Sequence, residues 1–349
     1  MVASADLLAT VLAVAQNNAK GSWEYGTVAE ALLEWNNASI SVWNDPFPNQ
    51  QVPGVEWESV AALSWLRDKG VIRTDGETLY EDGAKGDPAS LGIPALLIGT
   101  TDSTYHDAAT RQKDHLIADN DRWSNGAISH REGYAELWAD FIYMVPPFLA
   151  YYGVASDDVN LAKEGANQVK LYREVLGTEA GTWKHIVGPG APDDGIWSTG
   201  NAWAAAGASR VLATLRKSKF DGETKSEQGE LVGTIKAIID GAIAQDNDQS
   251  ELLRNYLPDS SWWGEISGTA LLAATALRMA KLEPGTFGES YKEWALKKMD
   301  VVDSHIEEGT GIAKPAIDPL NWRNTEPYVA GSPEGQSFII LLHAAARDA

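Results

Sequence analysis

The chain has 349 residues, of which 44% are hydrophobic, and this is enough for a large core. Its net charge of −21 excludes the basic surface that nucleic-acid binding requires. Cysteine is absent, which excludes disulfides, thiolate metal sites and a cysteine nucleophile without fixing the compartment. The 14 tryptophans fit both sugar stacking and a tryptophan-rich core, and composition alone leaves both readings open.

The first 16 residues resemble a signal peptide only superficially, because they lack a basic region and Asp6 interrupts the apolar run. Leu7, Leu8, Val11 and Leu12 recur at helical spacing, which predicts an amphipathic first helix. No later apolar run is long enough to span a bilayer, so we expect no membrane partner. We expect a soluble protein, secreted as a mature chain without its leader, with a cytoplasmic location as the alternative.

Apolar residues at three- and four-residue spacing predict helices along the whole chain and no strand ladder. The predicted helices lie near residues 3–17, 27–36, 57–69, 89–99, 104–119, 134–152, 157–175, 200–217, 226–245, 265–281, 288–304 and 333–347. Six helical pairs without a linker predict one all-α domain over residues 1–349, a closed (α/α)6 toroid. An open solenoid is the alternative, and the candidate site residues favour closure.

Asp140 is the sole charge in an apolar and aromatic stretch from Leu137 to Tyr152, which we predict to be helical. Burying a carboxylate is costly unless it is paired or used, and burial raises its pKa toward the range of a general acid. A buried structural acid is the alternative, and we favour a functional one. Pro146 and Pro147 are predicted to kink or end this helix.

Other polar and aromatic residues are weaker candidates when each is taken alone. Asp87 before Pro88 predicts a helix N-cap, and it becomes a second catalytic carboxylate only if it faces the same cavity as Asp140. The pair His130 and Arg131 has two equally good interpretations. Its cation could hold a substrate carboxylate, or both residues could belong to an ordinary surface loop.

Three aromatic-rich stretches precede or open predicted helices that are second in their pairs. They are 23–26, 197–203 and 262–269, and together they would surround one mouth of a toroid. A core position is the alternative for each indole. The six histidines form no HExxH pair, and P-loop, dinucleotide-binding and GxSxG patterns are absent. The acidic stretches 119–121 and 246–248 lack EF-hand spacing and are predicted to be solvated loops.

Residues 137–148 resemble the pattern Met-Trp-Leu-Asp-Gly-Leu-Tyr-Met-x-x-Pro-Phe of glycoside hydrolase families 88 and 105, the unsaturated glucuronyl and rhamnogalacturonyl hydrolases. The chain retains Trp138, Asp140, Tyr143, Met144, Pro147 and Phe148. The stretches 130–131, 183–185, 197–203 and 265–270 are similar to further short motifs of these families. The resemblance covers nearly the whole chain and implies a six-hairpin α/α barrel that needs no metal or organic cofactor.

The resemblance implies that Asp140 is the catalytic acid/base and that Asp87 is the second active-site acid. With the aromatic helix starts, it predicts a set of substrate-binding residues: Tyr25, His130, Arg131, Trp138, Met144, His185, Trp197, Thr199, Asn201 and Trp203. Two positions depart from the families' motifs. Thr199 replaces an arginine that would contact a uronate carboxylate, and Phe141 replaces the glycine after the catalytic aspartate.

The reaction that the resemblance implies is hydration of the C4=C5 double bond of a lyase-generated unsaturated uronide. The acid protonates C4, water adds at C5, and the hemiketal opens to release the aglycone sugar. We therefore expect a small acidic oligosaccharide as substrate and a monomer or weak homo-oligomer. The alternatives are an ordinary glycosidase on saturated uronides or neutral glycans, with Asp87 and Asp140 both essential, and a non-catalytic glycan-binding toroid.

Overall fold

The computed structural model describes residues 3–118 and 121–349, so the predicted acidic loop at Asp119 and Asn120 lies outside the described residues. The described residues form twelve α-helices: α1 (Ala5–Asn18), α2 (Ser22–Asn36), α3 (Ala61–Lys69), α4 (Gly92–Ile98), α5 (Ser103–Ile117), α6 (Phe141–Ala155), α7 (Val159–Leu176), α8 (Ser198–Lys217), α9 (Lys225–Ala244), α10 (Ile266–Leu282), α11 (Glu289–Ser304) and α12 (Pro333–Asp348). A 3₁₀ turn, Asp87–Leu91, leads into α4. Two antiparallel ladders pair β1 (Leu137–Trp138) with β2 (Ile186–Val187) and β3 (Leu253–Arg254) with β4 (Gly264–Glu265).

The even-numbered helices form a closed inner ring. Helix α2 packs on the turn before α4, that turn packs on α6, and the ring continues through α8 and α10 to α12, which packs back on α2. The odd-numbered helices lie outside, each packed mainly on the inner helix that precedes it, and α1 packs on α12. The predicted (α/α)6 toroid is therefore confirmed, and the open solenoid is wrong.

The burial pattern distinguishes the inner helix of a pair from the outer one. In α6 every residue from Phe141 to Val154 is buried, because neighbours surround that helix on all sides. In the outer helix α7 the buried residues recur at three- and four-residue spacing along one face, as in Ala162, Ala166 and Val169. No helix among the described residues is long and apolar enough to cross a membrane.

The predicted helix over 134–152 begins later than expected, at Phe141. Residues 137–138 instead form β1, in which Leu137 pairs with Val187 and Trp138 with Ile186. The backbone N–H of Ala139 then donates to the carbonyl of His185 at 2.9 Å. These hydrogen bonds to residues 185–187 occupy the backbone groups that a helix would use, so Asp140 lies at the N-cap of α6 and not inside it.

The helix does not end at Pro146 and Pro147, since α6 continues to Ala155. The two prolines lack the N–H groups that would bond the carbonyls of Ile142 and Tyr143. Both freed carbonyls face α8. Arg210 Nη1 donates to the Tyr143 oxygen at 3.3 Å, and Gly207 packs directly against the Ile142 carbonyl, where an added Cβ would lie 2.0 Å from that oxygen.

Candidate active site

A cavity of about 260 Å³ opens at the end of the ring where the inner helices begin. Its lining combines carboxylates, indoles, one histidine and one arginine: Trp23, Asp82, Asp87, His130, Arg131, Trp138, Asp140, Met144, Pro319, Leu320, Trp322 and Glu334. The cavity brings together six of the predicted site residues, namely Asp87, His130, Arg131, Trp138, Asp140 and Met144.

Asp140 reaches the cavity because the β1–β2 ladder fixes the chain just before α6. Its side chain is 15% exposed, and its Oδ2 lies 3.4 Å from Nε2 of the buried His185. This contact is an ion pair when His185 is protonated, but its geometry does not make a hydrogen bond. Oδ2 is buried and has no hydrogen-bond partner among the described residues.

His185 lies behind Asp140 and is not among the residues that line the cavity, so its contact with a substrate stays a prediction. Its Nδ1 lies 3.1 Å from Oδ2 of Asp193, which also accepts from the Tyr256 hydroxyl and the Trp322 indole N–H. Burial lowers the pKa of His185, but its contacts with Asp140 and Asp193 outweigh burial and raise it. The contacts of His185 with Asp140 and Asp193 therefore favour a positive charge on His185, beside Asp140.

Asp87 faces the same cavity, which is the condition that the sequence left open. The predicted N-cap role is wrong, because Gly86 occupies the N-cap position and the Asp87 side chain makes no cap bond. His130 Nε2 lies 3.7 Å from Asp87 Oδ1. Burial, with repulsion from Asp82 and Asp140, raises the pKa of Asp87 well above its usual value, which favours the protonated form of this carboxyl.

His130, Arg131 and Trp138 form one wall of the cavity. The His130 ring stacks on the Trp138 ring at 4.9 Å, and the Arg131 guanidinium lies 4.3 Å from the centre of the same ring. Glu136 Oε1 accepts the Trp138 indole N–H at 2.8 Å and fixes the ring orientation. Burial, with the nearby Arg131 charge, lowers the pKa of His130 well below its usual value, so this imidazole is neutral.

Sequence reasoning missed several residues of the site. Glu334, in the first turn of α12, accepts the Trp23 indole N–H on Oε1 at 2.7 Å. Asp82 accepts from the backbone N–H and the hydroxyl of Ser22. Trp322 packs edge-on against Trp138 and His185 at 5.3 and 5.1 Å. The aromatic stretch 23–26 gave a signal for Trp23, whereas the other three residues stand in ordinary loops or helix starts.

Five predicted substrate contacts do not line the cavity. Trp197 donates its indole N–H to Asn255, and Asn201 holds the backbone N–H and carbonyl of Trp183. Trp203 packs in the core against Tyr143 and Phe338 at 4.5 and 4.7 Å. Tyr25 packs in a cluster with Trp65 and Tyr80. Thr199 is the fifth of these residues, and its hydroxyl is bonded to a glutamate.

Thr199 is fully buried, and its hydroxyl donates to Glu265 Oε1 at 3.0 Å. Ser198 and the backbone N–H groups of Ser267 and Gly268 also donate to this carboxylate, so Thr199 belongs to a closed structural network. The second departure, Phe141, stacks on Tyr172 at 4.6 Å beneath the site. Gly86 makes room for it, because a Cβ there would lie 2.8 Å from the Phe141 ring.

Comparisons with known proteins agree with this geometry. A family model of Glycosyl Hydrolase Family 88 matches residues 81–343. No curated protein matches the chain. A possible GH105 family member from Salmonella enterica is 17% identical with a TM-score of 0.77, and the match covers 99% of this chain and 95% of that chain.

Two further structures share the fold. The unsaturated glucuronyl hydrolase of Bacillus sp. GL1, described as responsible for the degradation of glycosaminoglycan, is 14% identical with a TM-score of 0.62, over 97% of this chain and 94% of that chain. A protein described together with the saccharide dGlcA-Glc-Rha-Glc is 13% identical with a TM-score of 0.67, over 98% of this chain and 95% of that chain. The family model spans more than half of the chain and includes Asp87, His130 and Asp140. The protein therefore belongs to glycosyl hydrolase family 88 and is a glycoside hydrolase.

Proposed function

We propose that this glycoside hydrolase acts on unsaturated uronic-acid oligosaccharides and hydrates the C4=C5 double bond of the non-reducing-end glucuronyl or galacturonyl residue. The observation that carries the proposal is that Asp140 and Asp87 face one cavity whose walls are indoles and a guanidinium. Indole faces suit the C–H faces of sugar rings, and a guanidinium suits a carboxylate. The saccharide that names one structural neighbour supports a carbohydrate ligand.

Asp140 is the proposed acid and base. Its protonated carboxyl gives a proton to C4 while a water oxygen bonds to C5, and the carboxylate then takes a proton from that water. The carboxyl is restored, and the hemiketal at C5 opens by breaking the C5–O5 bond, which leaves a ketone at C5 and a hemiacetal at C1. That hemiacetal collapses to an aldehyde, breaks the bond between C1 and the glycosidic oxygen, and releases the aglycone sugar with its hydroxyl. One carboxyl group is sufficient for both proton transfers, unlike the two-carboxylate scheme of ordinary glycosidases.

Recognition of an acidic substrate requires that the cavity limit its own negative charge. Asp82, Asp87, Asp140 and Glu334 line it, and Arg131 is the sole lysine or arginine among the described lining residues. Burial raises the pKa of both Asp87 and Glu334 well above their usual values, which favours the neutral form of these two acids. The Arg131 guanidinium is then the proposed partner of the uronate carboxylate, in place of the arginine that position 199 lacks.

The test is an absorbance assay on a lyase-digested oligosaccharide, in which loss of the C=C signal reports turnover. We expect wild type and Asp107→Asn to be active, since Asp107 is 70% exposed, and Asp140→Asn to lose turnover. Equal rates for wild type and Asp140→Asn would contradict the assignment of Asp140. Turnover of a saturated aryl glycoside that needs both Asp87 and Asp140 would support an ordinary glycosidase instead. Sugar binding that survives Asp140→Asn, with no turnover of any substrate, would support a glycan-binding toroid.

A further inference from the structure

Glu334 is a buried carboxyl of the cavity wall that the proposed chemistry does not use. Ser332 caps α12 and Pro333 opens it, so the Glu334 side chain is not needed as a helix cap. The residue is 2% exposed, and it lines the cavity beside Trp23. Its Oε1 accepts the Trp23 indole N–H, whereas its Oε2 has no hydrogen-bond partner among the described residues.

Burial and the neighbouring acids favour the neutral form of the Glu334 carboxyl. Burial raises its pKa well above the usual value, and repulsion from Glu24, Asp140 and Glu265 adds to this, against the opposing hydrogen bond from Trp23. Because Oε1 accepts from the indole, the proton resides on Oε2, which is therefore a free hydrogen-bond donor. A buried donor without a partner is unfavourable, and a ligand oxygen that accepts from it would remove this cost.

The ring order places Glu334 across the cavity from Asp140. Helix α12 lies next to α2 and α10, whereas α6 lies between α8 and the turn before α4, so the starts of α12 and α6 face each other across the ring. A sugar ring that offers its C4 to Asp140 therefore presents its opposite edge toward Glu334 and Trp23. In a uronyl pyranose C1 is opposite C4, so that edge carries the glycosidic oxygen at C1 and the hydroxyl at C2.

We propose that Oε2 of Glu334 forms a hydrogen bond with an oxygen on the edge of the uronyl ring that faces away from Asp140. Glu334 is then a specificity-determining residue, and Trp23 fixes its orientation through Oε1. This contact presupposes that a uronyl sugar occupies the cavity, as the proposed function states. Its consequence is a loss of affinity, and not of chemistry, when the donor is removed.

The experiment measures binding of an unsaturated uronyl disaccharide by calorimetry in an Asp140→Asn background, with turnover of the Asp140-containing proteins measured separately. Glu334→Gln keeps an acceptor for Trp23 and a donor for the sugar, so its affinity should stay within about threefold. Glu334→Met has a similar length and no donor, so its affinity should fall about tenfold, the size of one good hydrogen bond. Glu326→Gln, on an exposed loop, is the control and should bind like the background protein.

A double-mutant cycle separates sugar contact from support of Trp23. If Glu334 only held the indole, Glu334→Met would cost nothing further in a Trp23→Phe protein. We expect most of the tenfold loss to remain there. The proposed contact is overturned if the loss disappears in that background, or if Glu334→Gln binds tenfold more weakly than its parent. Should Glu334→Met fail to fold, the Glu334→Gln result decides alone. If wild type binds the disaccharide without turning it over, the proposed function fails while the Glu334 contact is still tested by the same titrations.

Discussion

Replacing Gly207 by alanine should disturb the active site from the far side of α6. A Cβ at this position would lie 2.0 Å from the Ile142 oxygen, 2.4 Å from its carbonyl carbon and 2.7 Å from Tyr143 Cα. Ordinary contact begins near 3.4 Å, so the two helices would have to separate by about 1.4 Å at this point. The obstacle is backbone, which cannot rotate away as a flexible side chain would.

The expected cost follows from that displacement. Overpacking a core typically costs about 1–3 kcal/mol, and a rigid backbone contact places Gly207→Ala at the upper end. Ile142 is two residues after Asp140, so a shift of α6 also moves the carboxyl. A misplacement of about 1 Å can reduce a rate about 100-fold, and we expect a loss of that order in kcat/KM.

The assay pairs urea unfolding with turnover of the unsaturated disaccharide. Gly233→Ala in α9 is the matched control, because an added Cβ there meets nothing within 4 Å. It should raise the free energy of unfolding by about 0.5–1 kcal/mol and leave turnover unchanged, since alanine is the better residue in a helix interior. If Gly207→Ala is as stable and active as Gly233→Ala, the close packing of α6 on α8 does not position Asp140.

Three other changes test the neighbouring residues. His185→Gln should lower the free energy of unfolding more at about pH 5.5 than at about pH 9. The raised pKa of His185 stabilises the fold at acid pH, and this contribution is lost as the pH rises through that pKa. Equal losses in urea unfolding at both pH values would contradict a charged His185 between Asp140 and Asp193. Arg131→Gln should raise KM for an acidic disaccharide about tenfold or more with a smaller effect on kcat. Arg73→Gln, at an arginine that does not line the cavity, should change neither. An unchanged KM in Arg131→Gln would remove Arg131 from carboxylate recognition. Trp203→Ala should lower the free energy of unfolding by about 3–5 kcal/mol, because Trp203 is a buried core residue. Trp203→Phe should keep the KM of wild type. A raised KM in a stable Trp203→Phe protein would instead support the substrate contact predicted from sequence.

The toroid could be predicted from the sequence because each helix shows its own apolar spacing, which depends only on local residues. Asp140 could be found for a similar reason, as a lone charge in an apolar stretch. The start of α6 could not, because β1 forms through pairing with Ile186 and Val187, about fifty residues further along the chain. Likewise, the prolines at 146 and 147 look like a helix end until Arg210 and Gly207 of another helix are present.

The same distinction between local and long-range contacts applies to the site residues. Trp197, Asn201 and Trp203 looked like ligand contacts because an indole and an amide suit both a sugar and a core, and only the position of α8 within the ring decides between them. Asp193, Glu334 and Trp322 were missed because each acts through a partner distant in sequence. Asp193 contacts His185 and Tyr256, and Glu334 contacts Trp23. No spacing within one segment encodes these contacts.

The hydrogen bond between Trp23 and Glu334 joins residues 311 positions apart, across the point where α12 closes the ring on α2. During synthesis the first helices leave the ribosome long before α12 exists, so the wall of the cavity that holds Trp23 stays incomplete until the last helical pair folds. Closure of so long a loop carries an entropic cost that grows slowly with length, and contacts between α12 and both of its neighbours must offset it. The part of the cavity wall that holds Trp23 is therefore complete only after α12 packs on α2, and a ligand that contacts both Trp23 and Glu334 would hold the two ends of the chain together.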